Sequence, residues 1–116
     1  VLARISEIGE RYHLHVANVF HAGDGTLHPN LLFDRRDPDE LARVEAASRE
    51  IMAMCVEAGG TITGEHGVGV DKRKYMDLVF DPHTLRTLAD VARVFDPRGR
   101  MNPGKVLPDE VWADRT

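Results

Sequence analysis

A glycine-rich turn between two strand-like segments constrains this chain more than any other feature. The segment His21–Asn30 follows the strand-like run Val16–Phe20, and Leu31-Leu32-Phe33 closes a second strand-like run. Its Gly-Asp-Gly centre is typical of a tight turn, so the two segments are predicted to pair as a hairpin. Side-chain alternation puts Val19 and His21 on one face of the first strand. The hairpin should therefore bring His21 and His28 together at its turn end.

A second glycine-framed segment, Gly64–Gly69, carries the adjacent residues Glu65 and His66. Histidine nitrogens and a carboxylate oxygen are a normal ligand set for a borderline divalent cation such as zinc. We therefore expect Glu65 to bind a divalent metal together with His21 and His28. Adjacent side chains in extended backbone point to opposite sides, which leaves His66 for a different role. Its imidazole suits proton transfer near neutral pH.

Three other residues have an ordinary structural explanation beside a functional one. Asn30 suits a hydrogen bond to a bound carboxylate, yet an amide at a strand end is equally expected there. Asp24 is expected to form the turn through its side chain rather than to bind metal. Cys55 lies on the apolar face of a predicted helix, so we expect a packing thiol rather than a nucleophile.

Two further segments are less specific. The basic run Lys72–Lys74 is typical of a solvated helix face, although its position after Gly67-Val68-Gly69 also suits an anionic ligand. The sequence Asn102-Pro103-Gly104-Lys105 is a compact turn, and on its own a purely structural role is favoured for it. Three histidines lack a glycine frame and are expected at the surface or as satisfied core residues: His13, His15 and His83.

The helical and extended patterns predict an α+β domain. Residues 2–11 have helical spacing, and Asp37-Pro38-Asp39-Glu40 is a capping sequence for a helix that ends at Gly59-Gly60. Further predictions are a strand over Thr61–Thr63, a weaker helix over Lys72–Val79, a helix that starts at Asp81-Pro82 and buries Leu85, Leu88, Ala92 and Phe95, and a mostly irregular tail over Arg98–Thr116. The order indicates an incomplete ferredoxin-like domain, an antiparallel sheet with helices on one face, plus a C-terminal helical tail.

Composition narrows the class of protein. The 116 residues are enough for one small domain, and a start without Met, directly in a helical pattern, favours a fragment of a longer protein that lacks its first strand. A formal net charge of −4 argues against nucleic-acid binding. No apolar run is long enough for a transmembrane segment. The single cysteine excludes an internal disulfide and suits a cytoplasmic location.

Three motifs in chain order resemble the C-terminal part of the FAD-linked oxidases of the vanillyl-alcohol oxidase superfamily. They are His21–Asn30, Gly64–Gly69 and Asn102–Lys105, and the resemblance covers about residues 13–107. It is strongest to the branch that contains the glycolate oxidase FAD subunit, D-lactate dehydrogenase and D-2-hydroxyglutarate dehydrogenase. Thr26 stands where that family often has Asn.

The resemblance implies that residues 1–116 are the cap or substrate domain of such an enzyme, without its N-terminal FAD-binding domain. By residue match it implies that His21, His28 and Glu65 bind the metal, that Asn30 and His66 face the substrate, and that Asn102 lies near FAD. The implied activity is FAD- and metal-dependent oxidation of a small D-2-hydroxy acid, of the glycolate or D-lactate type, to the 2-oxo acid, with zinc or manganese as the metal. His66 would then be the catalytic base.

The resemblance also implies the N-terminal FAD domain of the same protein as a partner, and electron-accepting subunits as further partners. The protein is expected in the cytoplasm, where these subunits would associate it with a membrane. The isolated fragment is expected to be inactive. The alternative is a non-catalytic metal-binding or interaction module. A structural zinc site normally has four protein ligands, whereas three convincing ligands are visible here, which favours the catalytic interpretation.

Overall fold

The computed structural model describes residues 1–113 and confirms an α+β organisation with a two-stranded antiparallel sheet. The elements are α1 (Leu2–Arg11), β1 (His15–His21), β2 (Thr26–Leu32), α2 (Pro38–Glu57), a 3-10 helix (Arg73–Leu78), α3 (Pro82–Phe95) and α4 (Asp109–Ala113). They divide into an N-terminal unit, Val1–Glu65, and a C-terminal unit that begins at His66. In the described part of the chain, every helix is too short or too polar to cross a membrane.

The core of the N-terminal unit lies between the hairpin and the helices α1 and α2. Its buried residues come mainly from the helices, with Ile5 of α1 and Ala47 of α2 fully inaccessible. Val16 of β1, together with Leu27 and Leu31 of β2, packs against this cluster from the sheet side. Burial of apolar side chains at about 25 cal/mol per Å² drives this packing. One face of the hairpin is thereby covered by α1 and α2.

The capping sequence of α2 is confirmed in part. The Asp37 carboxylate accepts hydrogen bonds from the backbone N–H groups of Asp39 (2.9 Å) and Glu40 (3.2 Å), which satisfies two orphan donors of the first turn. The Glu40 carboxylate, however, accepts from the N–H of Asp34 at 2.9 Å. The N–H of Asp37 instead donates to the Asp34 carbonyl, so the reciprocal half of the capping box is not formed.

The C-terminal unit packs α3 against the 3-10 helix and α4. Asp81 caps α3 by accepting the N–H of Thr84 at 2.7 Å, as its sequence predicts. The predicted buried face of α3 is only partly correct, because Leu85 and Ala89 are buried whereas Leu88 and Phe95 are exposed. Apolar residues of α3 lie on most sides of the helix, so their spacing does not determine which side is buried.

Two other elements differ from the sequence prediction. The segment Thr61–Thr63 is not a strand: the described sheet consists of β1 and β2 alone, and Ile62 is buried through its side chain. The described part of the tail is mostly irregular, as predicted, and α4 forms after Pro108 with two acidic residues in its first turn, a favourable start for a helix. The segment Lys72–Val79 is helical as predicted but as a 3-10 helix, and the end of the predicted tail, residues 114–116, lies outside the described residues.

The close packing of α1 on β1 predicts that Gly9→Ala destabilises the protein. A Cβ at Gly9 would collide with Cγ2 of Val16, and overpacking of this kind costs about 1–3 kcal/mol. Helix propensity alone gives the opposite sign, a gain of roughly 0.5–1 kcal/mol. Urea unfolding followed by circular dichroism measures the free energy of unfolding.

Gly23→Ala is the matched control, because a Cβ there would have no atom within 4 Å. We expect it to change the free energy of unfolding by less than about 0.5 kcal/mol. A Gly9→Ala protein as stable as the wild type would contradict the close approach of α1 and β1.

Candidate metal centre

The register of the hairpin places two histidines at its turn end. His21 pairs with Thr26, and His28 pairs with Val19, so the two imidazoles are diagonal neighbours on the same face of the sheet. The His21 carbonyl accepts the backbone N–H groups of Asp24 (3.3 Å) and Gly25 (3.1 Å), which closes the turn. Gly25 has a φ of 78°, a conformation that glycine adopts without steric cost. The two histidine rings lie edge to face with centroids 5.2 Å apart.

Asp24 forms the turn, as predicted for it. Its Oδ1 accepts the backbone N–H of Thr26 at 2.9 Å. This hydrogen bond to the ionised carboxylate holds the pKa of Asp24 below its usual value. The carboxylate is therefore ionised at neutral pH and stabilises the turn between the two histidines.

Glu65 reaches the hairpin because a glycine precedes it. A Cβ at Gly64 would lie 2.7 Å from Cγ2 of Thr26, so only glycine lets the backbone approach the start of β2 this closely. Glu65 Oε1 then lies 3.3 Å from Nε2 of His21 and 3.1 Å from Nε2 of His28. Two side chains from the hairpin and one from a distant loop of the N-terminal unit thus meet at a single carboxylate oxygen.

This arrangement fits a divalent cation. One ligand atom from each of His21, His28 and Glu65 lies within 4.8 Å of the other two. Ligands bound at about 2.0–2.2 Å to a tetrahedral zinc are separated by roughly 3.4 Å, close to the two histidine–carboxylate distances. The His28 side chain is 23% exposed, whereas those of His21 and Glu65 are about half exposed. Three protein donors with a solvent-facing side are the pattern of a metal site that keeps a position open.

The remaining predicted site residues are placed as follows. Asn30 lies on the same face of β2 as His28, pairs with Ala17, and donates its side-chain amide to the His28 carbonyl at 3.3 Å. His66 directly follows Glu65 and is exposed, in a bent segment rather than the extended backbone assumed from the sequence. Alternation of side chains along an extended strand therefore does not separate the roles of Glu65 and His66.

The turn at Asn102 has an unusual backbone and an unexpected anchor. Asn102, Gly104 and Val106 all have positive φ, which for a β-branched valine is a true outlier. Arg73 donates to the Gly104 carbonyl at 3.2 Å and pairs with both oxygens of Asp109 at 2.6 and 2.8 Å. These contacts link the Asn102 turn to the start of the 3-10 helix and to α4 within the C-terminal unit.

Arg73 is thus not a solvated residue, which was one of the two alternatives that its basic run left open. Its side chain is 23% exposed and binds a carboxylate 36 residues away in the chain. Local sequence patterns carry no signal for such a pair.

Cys55, in contrast, matches its prediction: it packs beside the core, and burial raises the pKa of its thiol.

The chain is similar to known proteins over most of its length. The family described as FAD linked oxidases, C-terminal domain, matches residues 1–106. The glycolate oxidase subunit GlcD of Escherichia coli is 47% identical over 108 residues, which are 93% of this chain and 22% of that protein. A D-2-hydroxyglutarate dehydrogenase of Stutzerimonas stutzeri is 36% identical over 103 residues, covering 86% of this chain and 22% of the relative.

A mitochondrial D-lactate dehydrogenase [cytochrome] of Arabidopsis thaliana is 34% identical over 93 residues, or 80% of this chain and 16% of that protein. The chain thus spans about a fifth of the length of the curated relatives that it matches. These matches confirm the resemblance carried by the three motifs. The chain belongs to the C-terminal domain family of the FAD-linked oxidases.

Proposed function

We propose that this chain is the metal- and substrate-binding domain of an FAD-dependent oxidoreductase that oxidises a D-2-hydroxy acid of the glycolate or D-lactate type to the 2-oxo acid. The observation that carries the proposal is the meeting of His21, His28 and Glu65 at one carboxylate oxygen. The relatives named as a glycolate oxidase subunit, a D-lactate dehydrogenase and a D-2-hydroxyglutarate dehydrogenase support the substrate class.

In this proposal His21, His28 and Glu65 hold a divalent cation, zinc or manganese. Such a cation supplies Lewis-acid polarisation of the substrate hydroxyl. FAD, held mainly by a domain outside residues 1–116, supplies the acceptor for the hydride of the α-carbon. Asn30 donates its side-chain amide to the substrate carboxylate, for which it must exchange its contact with the His28 carbonyl. Asn102 lies near the flavin in this proposal.

His66 takes the proton of the substrate hydroxyl in this scheme. Its imidazole is exposed and directly follows the metal ligand Glu65 in the chain. An imidazole can accept a proton at neutral pH, which suits it to the role of a general base. The proton at His66 and the hydride at the flavin together account for the two hydrogens that the hydroxy acid loses.

The proposal extends to the fold and the partners. The order α1, β1, β2, α2, with both helices on one face of the hairpin, supports a ferredoxin-like sheet completed by a strand outside the 116 residues. We propose the FAD domain as the partner of this chain, electron-accepting subunits as further partners, and a cytoplasmic location. The alternative, a non-catalytic metal-binding or interaction module, is opposed by the three-donor site with an exposed side.

The metal centre predicts that His28→Ala weakens zinc binding while His15→Ala does not. Both histidines lie on the same face of the hairpin, but His15 pairs with Leu32 at the end away from the turn. Removing one of three ligands should raise the zinc dissociation constant by more than about tenfold, or 1.4 kcal/mol. Titration of zinc into the wild-type chain and both variants, followed by calorimetry, measures this difference. Equal affinities of the wild type and His28→Ala would contradict the ligand assignment.

The division of cofactor binding predicts that the 116-residue chain retains no FAD and oxidises no hydroxy acid. Its described segments contain the candidate metal ligands but no nucleotide-binding domain. The purified chain should show no flavin absorbance after incubation with FAD and desalting. A near-stoichiometric flavin spectrum that survives desalting would contradict the assignment of FAD binding to another domain.

The role of His66 predicts a large loss of rate in the intact enzyme when it becomes Asn. Removal of a positioned general base typically lowers the rate by about 10²–10⁴-fold. Single-turnover reduction of the flavin measures the chemical step, and metal content is measured on the same samples. His83→Asn is the control, because His83 is an exposed histidine without a glycine frame.

The two measurements separate three roles of His66. A slow reduction with metal retained supports the base assignment. An unchanged rate shows that His66 is not the base. Loss of metal shows that His66 is a ligand, which would overturn the separate roles of Glu65 and His66.

A further inference from the structure

The face of the hairpin that bears the metal centre continues beyond the three ligands. By the register of the strands, eight residues share it: His15, Ala17, Val19 and His21 on β1, with Thr26, His28, Asn30 and Leu32 on β2. The opposite face, which includes Val16 and Leu31, packs on the core. The side chains of this face that lie nearest the turn are therefore within reach of a ligand held at the cation.

Val19 is the apolar residue of this face that lies nearest to the centre. It pairs directly with His28 and precedes His21 by two residues on the same strand. Directly opposed residues have Cβ atoms about 4.5–5.5 Å apart, so the Val19 methyl groups border the imidazole of His28. Val19 is 56% exposed, so its methyl groups are open to contact by a ligand on this face.

The charge of this face decides which ligand side chain it can accommodate. None of its eight residues is a lysine or an arginine, and Ala17 and Val19 form an uncharged strip on β1 directly opposite Asn30 and His28. A hydrocarbon side chain that lies on this strip loses apolar surface to water. A carboxylate in the same place loses hydration without a cationic partner, which is unfavourable.

We propose that Val19 determines substrate specificity: it favours a 2-hydroxy acid with a short hydrocarbon side chain over one that carries a second carboxylate. The inference rests on the proposed function, since the metal centre must hold the hydroxy acid for Val19 to contact it. It deepens that function by choosing among the substrate classes that the names of the relatives leave open. Val19 contacts the substrate side chain, whereas His21, His28 and Glu65 determine where the hydroxyl end binds.

The test uses the 116-residue chain loaded with Co²⁺, whose visible absorption changes when a ligand enters its coordination sphere. Two acids with five carbons, D-2-hydroxyvalerate and D-2-hydroxyglutarate, differ only by a methyl group against a carboxylate at the far end. Their dissociation constants are obtained from the cobalt spectrum for the wild type, Val19→Lys and Phe20→Lys. Phe20 is the matched control because it is 48% exposed, adjacent in β1 and on the opposite face.

We expect the wild type to bind D-2-hydroxyvalerate more tightly. Val19→Lys should shift the ratio of the two dissociation constants by about tenfold toward the dicarboxylate, because an opposite charge comes within a few ångströms of it. Phe20→Lys adds the same net charge and should shift the ratio by less than about twofold. Val19→Thr keeps the shape of the side chain and adds a hydrogen-bond donor, so a smaller shift in the same direction is expected and tests the inference should Val19→Lys fail to fold.

The outcomes distinguish the inference from the function on which it rests. A wild-type chain that binds no Co²⁺ contradicts the proposed metal centre, and Co²⁺ binding without any response to either acid contradicts the substrate role of that centre. Both results overturn the Val19 inference as well. Binding of Co²⁺ and both acids, with the same ratio in Val19→Lys, Val19→Thr and Phe20→Lys, overturns the Val19 inference alone.

Discussion

The candidate site depends on the register of one β-hairpin. His21 and His28 share a face only because Thr26 pairs with His21 and Val19 with His28. A slip of one residue would turn one of the imidazoles toward the helices α1 and α2, since side chains alternate between faces along a strand. The turn that fixes this register is held by the Asp24 carboxylate and by the positive φ of Gly25. The opposite face of the hairpin also fixes the register, because Val16, Leu27 and Leu31 pack against the core only in this register.

The position of Glu65, the third candidate metal ligand, depends on a close approach between two chain segments rather than on a helix or a strand. Glu65 follows Ile62, whose buried side chain anchors the segment, and Gly64, which passes Thr26 without a Cβ. Its carboxylate then lies between two imidazoles that the hairpin already holds. The hairpin positions the two histidines, a glycine-framed loop positions Glu65, and this arrangement leaves one side of the candidate site exposed. An exposed side is what a substrate-binding metal requires and a structural metal does not.

The sequence predicts what depends on local chemistry. Residues that are close in the chain predict the hairpin, the helix caps Asp37 and Asp81, and the end of α2 before its glycines. The two glycine-framed motifs predict that the three candidate metal ligands meet. What it did not predict depends on distant partners. Thr61–Thr63 has the composition of a strand but no strand to pair with in the described residues, and Phe95 has helical spacing but remains exposed. The ion pair between Arg73 and Asp109 joins residues far apart in sequence, so no local pattern predicts it.

The central claim is that His21, His28 and Glu65 bind one divalent cation together. X-ray absorption spectroscopy at the zinc edge of the zinc-loaded chain tests it most directly, because it counts the imidazole ligands and identifies the donor elements. The account predicts a shell of nitrogen and oxygen at about 2.0–2.2 Å with the outer-shell scattering of two imidazoles and no sulfur. A spectrum with one imidazole or none, or with a sulfur ligand, would contradict it.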